Sequence, residues 1–124
     1  MSDLTCRQVY SVARGELRAV LVDYGENTAG AETGALKAGD TLASATIAVS
    51  SKPTGASDPT LSAVTVNGAV VYVNGRACSA GEAASFTLTV GASQVYGRYV
   101  LLISGTTTNG EMIKRRLLVD VGAE

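Results

Sequence analysis

The chain contains no histidine, the side chain that most often moves protons in catalysis near neutral pH. Neither a Ser–His nor a Cys–His pairing can be assembled from it. Two cysteines, Cys6 and Cys78, stand far apart, and without histidine they cannot complete a zinc site of Cys and His ligands. The 11 carboxylates are scattered. Their densest group is Asp23, Glu26 and Glu32, beside a glycine-rich stretch. It offers hard oxygen ligands to a cation such as calcium but lacks the ligand spacing of an EF-hand. No Gly-x-x-x-x-Gly-Lys-Ser/Thr phosphate loop is present, so the glycines read as turn residues. The expectation is a protein that is not an enzyme, with no catalytic residue, no cofactor and no metal.

Basic residues are few, and the net charge is −1. The one basic run is Lys114-Arg115-Arg116. Strand alternation sends Arg115 to the opposite face from its neighbours, and the reading is a solvated hairpin tip where Arg115 still reaches water. Tyr96 and Tyr99 are three apart on one strand and project to opposite faces, which is not a stacking platform for single-stranded nucleic acid. Neither nucleic acid nor membrane is expected as a partner, since no apolar run approaches the roughly 18 residues that span a bilayer. Met1-Ser2-Asp3 lacks the basic start of a signal peptide, and the reading is a protein made in a cytoplasm with both thiols reduced.

The elements that would position these residues are strands. Residues 96–104 and 111–121 are apolar, β-rich runs that flank Thr106-Thr107-Thr108-Asn109-Gly110, a hairpin signal. In the return strand Ile113, Leu117, Val119 and Val121 alternate with Lys114, Arg116, Leu118 and Asp120. Further strands are expected at residues 17–24, 41–50, 61–66, 69–73 and 84–90, with Asn67-Gly68 as another hairpin turn and residues 76–81 as a loop. Phe86, Leu88, Leu101, Ile103, Leu117 and Val119 should be buried together. Seven short strands and no convincing helix point to an all-β fold, an Ig-like antiparallel β-sandwich, although the Cys–Trp–Cys hallmark of immunoglobulin domains is missing. The sandwich would span residues 16–124, preceded by an N-terminal arm over residues 1–15. A loop over residues 25–39, with Gly25, Gly30, Gly34 and Gly39, reads as too glycine-rich to hold one shape alone.

Two stretches carry a family resemblance. Leu36-Lys37-Ala38-Gly39-Asp40-Thr41-Leu42-Ala43-Ser44 resembles the Gly-Asp/Glu-Thr-Ile-small-Ser opening of small phage proteins of the fiber-tail adaptor family. Gly97-Arg98-Tyr99, the Thr/Asn/Gly turn, Arg115-Arg116 and the closing strand over residues 117–121 resemble their end. The resemblance covers roughly residues 17–121. It implies a non-enzymatic β-sandwich of the virion, made in the bacterial host cytoplasm. Such a protein is an adaptor or connector at the tail, neck or capsid surface, a homo-oligomer touching other phage structural proteins. Expected interface residues are Leu4, Val9, Tyr10 and Val12 of the arm, Tyr24, Asn27 and Leu36 of the loop region, and Tyr96. The alternative reading is a carbohydrate- or host-surface-binding module, which would need clustered exposed aromatics.

Overall fold

A computed structural model describes residues 9–27 and 30–122. Its ten strands are β1 (Val9–Ala13), β2 (Leu17–Asp23), β3 (Leu42–Ser51), β4 (Thr60–Leu61), β5 (Thr65–Val66), β6 (Val71–Val73), β7 (Arg76–Cys78), β8 (Ala83–Thr89), β9 (Gly97–Thr107) and β10 (Met112–Gly122); the described residues contain no helix. One sheet has the order β1-β10-β9-β3. The second has the order β2-β8-β4, with β5 also on β8, and β6 and β7 form a separate ribbon. In immunoglobulin terms the first sheet corresponds to strands C, F and G with the first strand beside G, and the second to B, E and D. The all-β, Ig-like sandwich is therefore present.

Alternation builds the core. Every odd residue from Ile113 to Val121 of β10 is buried, as is every odd residue from Tyr99 to Thr107 of β9. These meet Val20, Val22, Phe86 and Leu88 from the facing sheet in one cluster. All six residues expected to be buried together belong to it. Near the start of β9, the Tyr99 hydroxyl donates to the Val95 carbonyl at 2.7 Å, a tyrosine corner that fixes the turn into the strand. Gln94 Nε2 donates to that hydroxyl at 3.2 Å and to the Ser57 carbonyl at 2.7 Å.

Several expectations are corrected. Of the expected arm, residues 9–13 belong to the sandwich: β1 pairs in parallel with β10, Val9 opposite Leu118 through Ala13 opposite Gly122. This is the one parallel pair among the described strands, so the sandwich is not wholly antiparallel. Alternation along β1 takes Val12 into the core and leaves Val9 outside. The expected strand over residues 61–66 is interrupted, because the Ser62 hydroxyl takes the Thr87 N–H at 2.8 Å between β4 and β5. Asn67-Gly68 is not a hairpin turn. The Asn67 side chain instead ties down the turn before β8, accepting from Gly81 and Ala83 N–H and donating to the Ala69, Cys78 and Ser79 carbonyls. Residues 76–78, expected in a loop, form β7 through Asn74-Gly75, whose φ values of 52° and 81° suit a two-residue hairpin turn. In the turn between β9 and β10 only Gly110 is left-handed, at φ 88°, and the Thr107 carbonyl accepts its N–H.

Candidate functional site

The glycine-rich loop is held by the side chain expected to reach water. Arg115 is 0% exposed. Its position in β10 is odd, so it points inward beneath the loop. Its guanidinium donates to the carbonyls of Asp23, Tyr24 and Glu26 on one side of the loop, and to those of Thr33 and Gly34 on the other. It also lies over the Tyr24 ring, 5.1 Å from the centroid. A planar cation with five donors can gather carbonyls from two separated stretches, and this one replaces the order that the glycines do not supply. Gly30 and Glu32 add backbone bonds to β10, and Ala31 bridges Arg115, so this part of the loop lies along the β10 edge at residues 114–116, beside the stretch that β1 occupies. The expectation that the loop cannot hold a shape alone is thereby corrected.

Two of the three carboxylates considered as cation ligands, Asp23 and Glu32, are engaged by arginines. Asp23 accepts from Arg76 Nη1 at 2.8 Å and from the Gly25 N–H at 2.8 Å, an arrangement that fastens the β6–β7 ribbon to β2. Glu32 pairs with Arg116 at 2.9 Å. At the loop's exit, Asp40 accepts from Thr108 Oγ1 at 2.6 Å and from the Thr41 N–H at 2.9 Å. The Thr108 hydroxyl first, with the neighbouring donors, holds the Asp40 carboxyl below its usual range. Cys78 is fully buried under the ribbon, and burial pushes its thiol up to about 11.

With the loop and β1 closing one flank, the broad surface left is the outer face of the four-stranded sheet. Even positions of β9 and β10 point there. Leu118 lies opposite Val100 and beside Val9, while Leu102 lies between Arg116 and Ala48 in neighbouring strands. Val9 is 40% exposed, and Val100, Leu102 and Leu118 are half-buried. This aliphatic row crosses β1, β10 and β9. Around it stand small hydroxyl residues, Ser44, Thr46, Ser50, Ser104 and Thr106, and the exposed pair Arg98–Asp120 at 2.8 Å. An apolar centre in a polar rim is the composition of a protein-binding surface rather than of a catalytic cleft. The β6–β7 ribbon does not cover this face; it packs through Val71 and Val73 near Leu21, on the other sheet.

The expected interface residues fall in different places. Val9 is on the outer face. Tyr10 and Leu36 are half-buried against the core. Val12 and Tyr24 are 2% and 0% exposed and are spent on the domain's own packing; the Tyr24 hydroxyl donates to the Ile103 carbonyl at 2.9 Å. Neither can meet a partner without unfolding. Asn27 is exposed on the loop. Tyr96 is 48% exposed, with Arg14 stacked 3.8 Å above its ring. Leu4 lies outside the described residues. Sequence reasoning passed over Val100, Leu102 and Leu118. Their signal was the failure of alternation in Val100-Leu101-Leu102-Ile103 and Leu117-Leu118-Val119, where both faces of a strand are aliphatic.

A shallow depression of about 220 Å³ lies between the loop and the β9–β10 turn, lined by Thr33, Gly34, Ala35, Lys37, Glu111, Met112 and Ile113. Lys37 and Glu111 pair across its rim at 2.9 Å. Among known proteins, no family model and no curated sequence matches the chain.

Proposed function

We propose that this chain is a non-enzymatic structural protein of a phage virion, an adaptor or connector that joins components at the tail, neck or capsid surface. The observation that carries this reading is the aliphatic row of Val9, Val100, Leu102 and Leu118 on the open face of an Ig-like sandwich. A rigid sheet presenting such a row needs little ordering on association, so burial of the row goes into binding. The resemblance of the Gly39-Asp40-Thr41-Leu42 and Gly97-Arg98-Tyr99 segments to phage fiber-tail adaptors supplies the virion context. Other structural proteins of the particle are the partners, with further copies of the chain among them.

The carbohydrate-binding alternative asks for an open aromatic platform. Tyr96 has one ring face capped by Arg14, and Tyr72, 68% exposed, stands on the separate β6–β7 ribbon. The outer face of the large sheet has no aromatic side chain in its row, which favours protein over sugar.

The test is incorporation. Leu118→Lys and Val100→Lys place a charge in the row while leaving the core residues in place. Particles assembled with either variant should contain at least tenfold less of this chain than wild type, while circular dichroism of the isolated variants stays native. Incorporation at the wild-type level by both folded variants refutes the assignment of this face.

A further inference from the structure

An edge strand presents unpaired backbone groups, and monomeric proteins blunt such edges with charge, proline, irregularity or shortness. Three of the four edges of the two facing sheets follow that practice. β1 runs into Arg14. β2 carries Arg18, paired with Glu16 at 2.9 Å. The opposite edge of its sheet is broken into β4 and β5, two residues each, with Pro59 in front.

The fourth edge, β3, is different. It runs for ten residues, Leu-Ala-Ser-Ala-Thr-Ile-Ala-Val-Ser-Ser, without a charge or a proline. Among the described residues no strand hydrogen-bonds to its outer side, although β5 of the facing sheet passes close to it, and Leu42 alone at its start is tied outward, to the Gly81 carbonyl at 2.8 Å. Register shifts at Leu42/Ser44 and Val49/Ser51 leave a regular ladder over residues 44–49. Ala45, Ile47 and Val49 are half-buried, packing against the core from its flank.

We propose that β3 pairs antiparallel with β3 of a second copy of this chain, across a two-fold axis, to make one continuous eight-stranded sheet. The composition of the edge names the occupant. A two-fold axis brings each part of a strand against itself or its near neighbours, so any charge on the edge would meet its like. The whole strand is free of charge, and the nearest cation, Lys52, lies beyond the ladder and is bonded to Asp58 at 2.9 Å. For the two sheets to be continuous, residues facing each other must share a face, hence a parity. With Ile47 on the axis, Ala45 faces Val49 of the second copy on the inner side and Thr46 faces Ala48 on the outer side. The three half-buried aliphatics of each copy then cover those of the other. A foreign strand would find no charged or aromatic side chain on this edge by which to be selected; a second copy needs none.

The contact is small beside a standard interface, so the dimer is expected to be weak. Sedimentation velocity from low micromolar to ~1 mM protein should show the mass rising from 12.6 kDa toward twice that value. Thr46→Lys, at an exposed position, brings like charges together near the axis and should weaken dimerisation at least tenfold. Tyr72→Lys, at an exposed position on the separate β6–β7 ribbon, should leave it unchanged. In the wild type, amide exchange within residues 44–49 should slow as concentration rises, while exchange in β1 should not. A monomer throughout the range overturns the proposal. So does a dimer that Tyr72→Lys disrupts and Thr46→Lys does not, or one without concentration-dependent protection of β3. The proposal stands on the strand edge alone: a solution dimer remains readable whether or not the chain is found in particles.

Discussion

Replacing Arg115 by alanine probes the link between the glycine-rich loop and the sandwich. The side chain is fully buried, and its guanidinium donates to six carbonyl oxygens at 2.9–3.4 Å. Two of these keep other donors: the Tyr24 carbonyl accepts from the Leu36 N–H and the Lys114 carbonyl from the Glu32 N–H. The loss falls on the other four carbonyls, those of Asp23, Glu26, Thr33 and Gly34, each costing about 1–3 kcal/mol if left without a donor, and on the stacking over Tyr24, about 0.5–2 kcal/mol. Recovery of the buried charge's desolvation offsets part of this, and we expect a net destabilisation of about 3–5 kcal/mol, most of it from carbonyls left without a donor. For a domain of this size that is a fall in Tm of roughly 10–20 °C. Urea unfolding of wild type and Arg115→Ala gives the free energy, and hydrogen exchange gives its location, which should be residues 24–27 and 30–36. Arg115→Lys should recover less than half of the loss, because an ammonium cannot reach both sides of the loop. Arg116→Ala, whose side chain is half exposed in its pair with Glu32, should change stability by less than about 0.5 kcal/mol. A loss below about 1 kcal/mol for Arg115→Ala would refute the view that this residue holds the loop.

Three further outcomes follow from the packing and the titrating groups. Leu117→Ala, at a fully buried position between the sheets, should cost about 2–5 kcal/mol in urea unfolding, and a cost below about 0.5 kcal/mol would show that the face is wrongly assigned. Cys78, with its thiol pushed up to about 11, should resist a disulfide-exchange reagent at pH 7–8 in the native protein and react at once in urea; equal rates in both would contradict its burial. The Asp40 carboxyl is lowered from 3.8 in the folded state, so its contribution is fully present above that value and is lost as pH falls through the lower folded value. The stability difference between wild type and Thr108→Val should therefore shrink on acidification below pH 4. A difference that is constant from pH 6 to pH 2 would mean that the Thr108–Asp40 bond does not set the shift.

The core was legible because alternation is a strong signal where one strand face is dry. The inward residues of β8, β9 and β10 could be read directly from period two; Tyr96, expected on the same strand as Tyr99, lies before β9 begins at Gly97, so its exposure does not come from that alternation. Pairing partners were less legible. Asn67-Gly68 and Asn74-Gly75 are the same dipeptide, yet only the second is a hairpin turn; the first spends its side chain on backbone groups more than ten residues away. β1 was hidden because five residues at an edge, with one side chain in the core, carry too little pattern. Arg115 was misread for a physical reason. Its place on the dry face was correctly inferred from parity, but a buried arginine is stable only when carbonyls converge on it, and those carbonyls come from a loop some 80–90 residues earlier. The open face was missed because doubled aliphatics such as Leu101-Leu102 and Leu117-Leu118 fit both a buried strand and a strand with a sticky outer side.

The central claim is that the chain is a built-in part of a particle. Quantitative mass spectrometry of gradient-purified particles, produced from the genome that encodes this chain, tests it most directly. The account expects the chain to co-sediment with the particles at a fixed ratio to the other structural proteins, and to resist a salt wash, since the proposed contact is an aliphatic row rather than a charged patch. Finding it in the soluble fraction of the lysate and absent from washed particles would contradict the account.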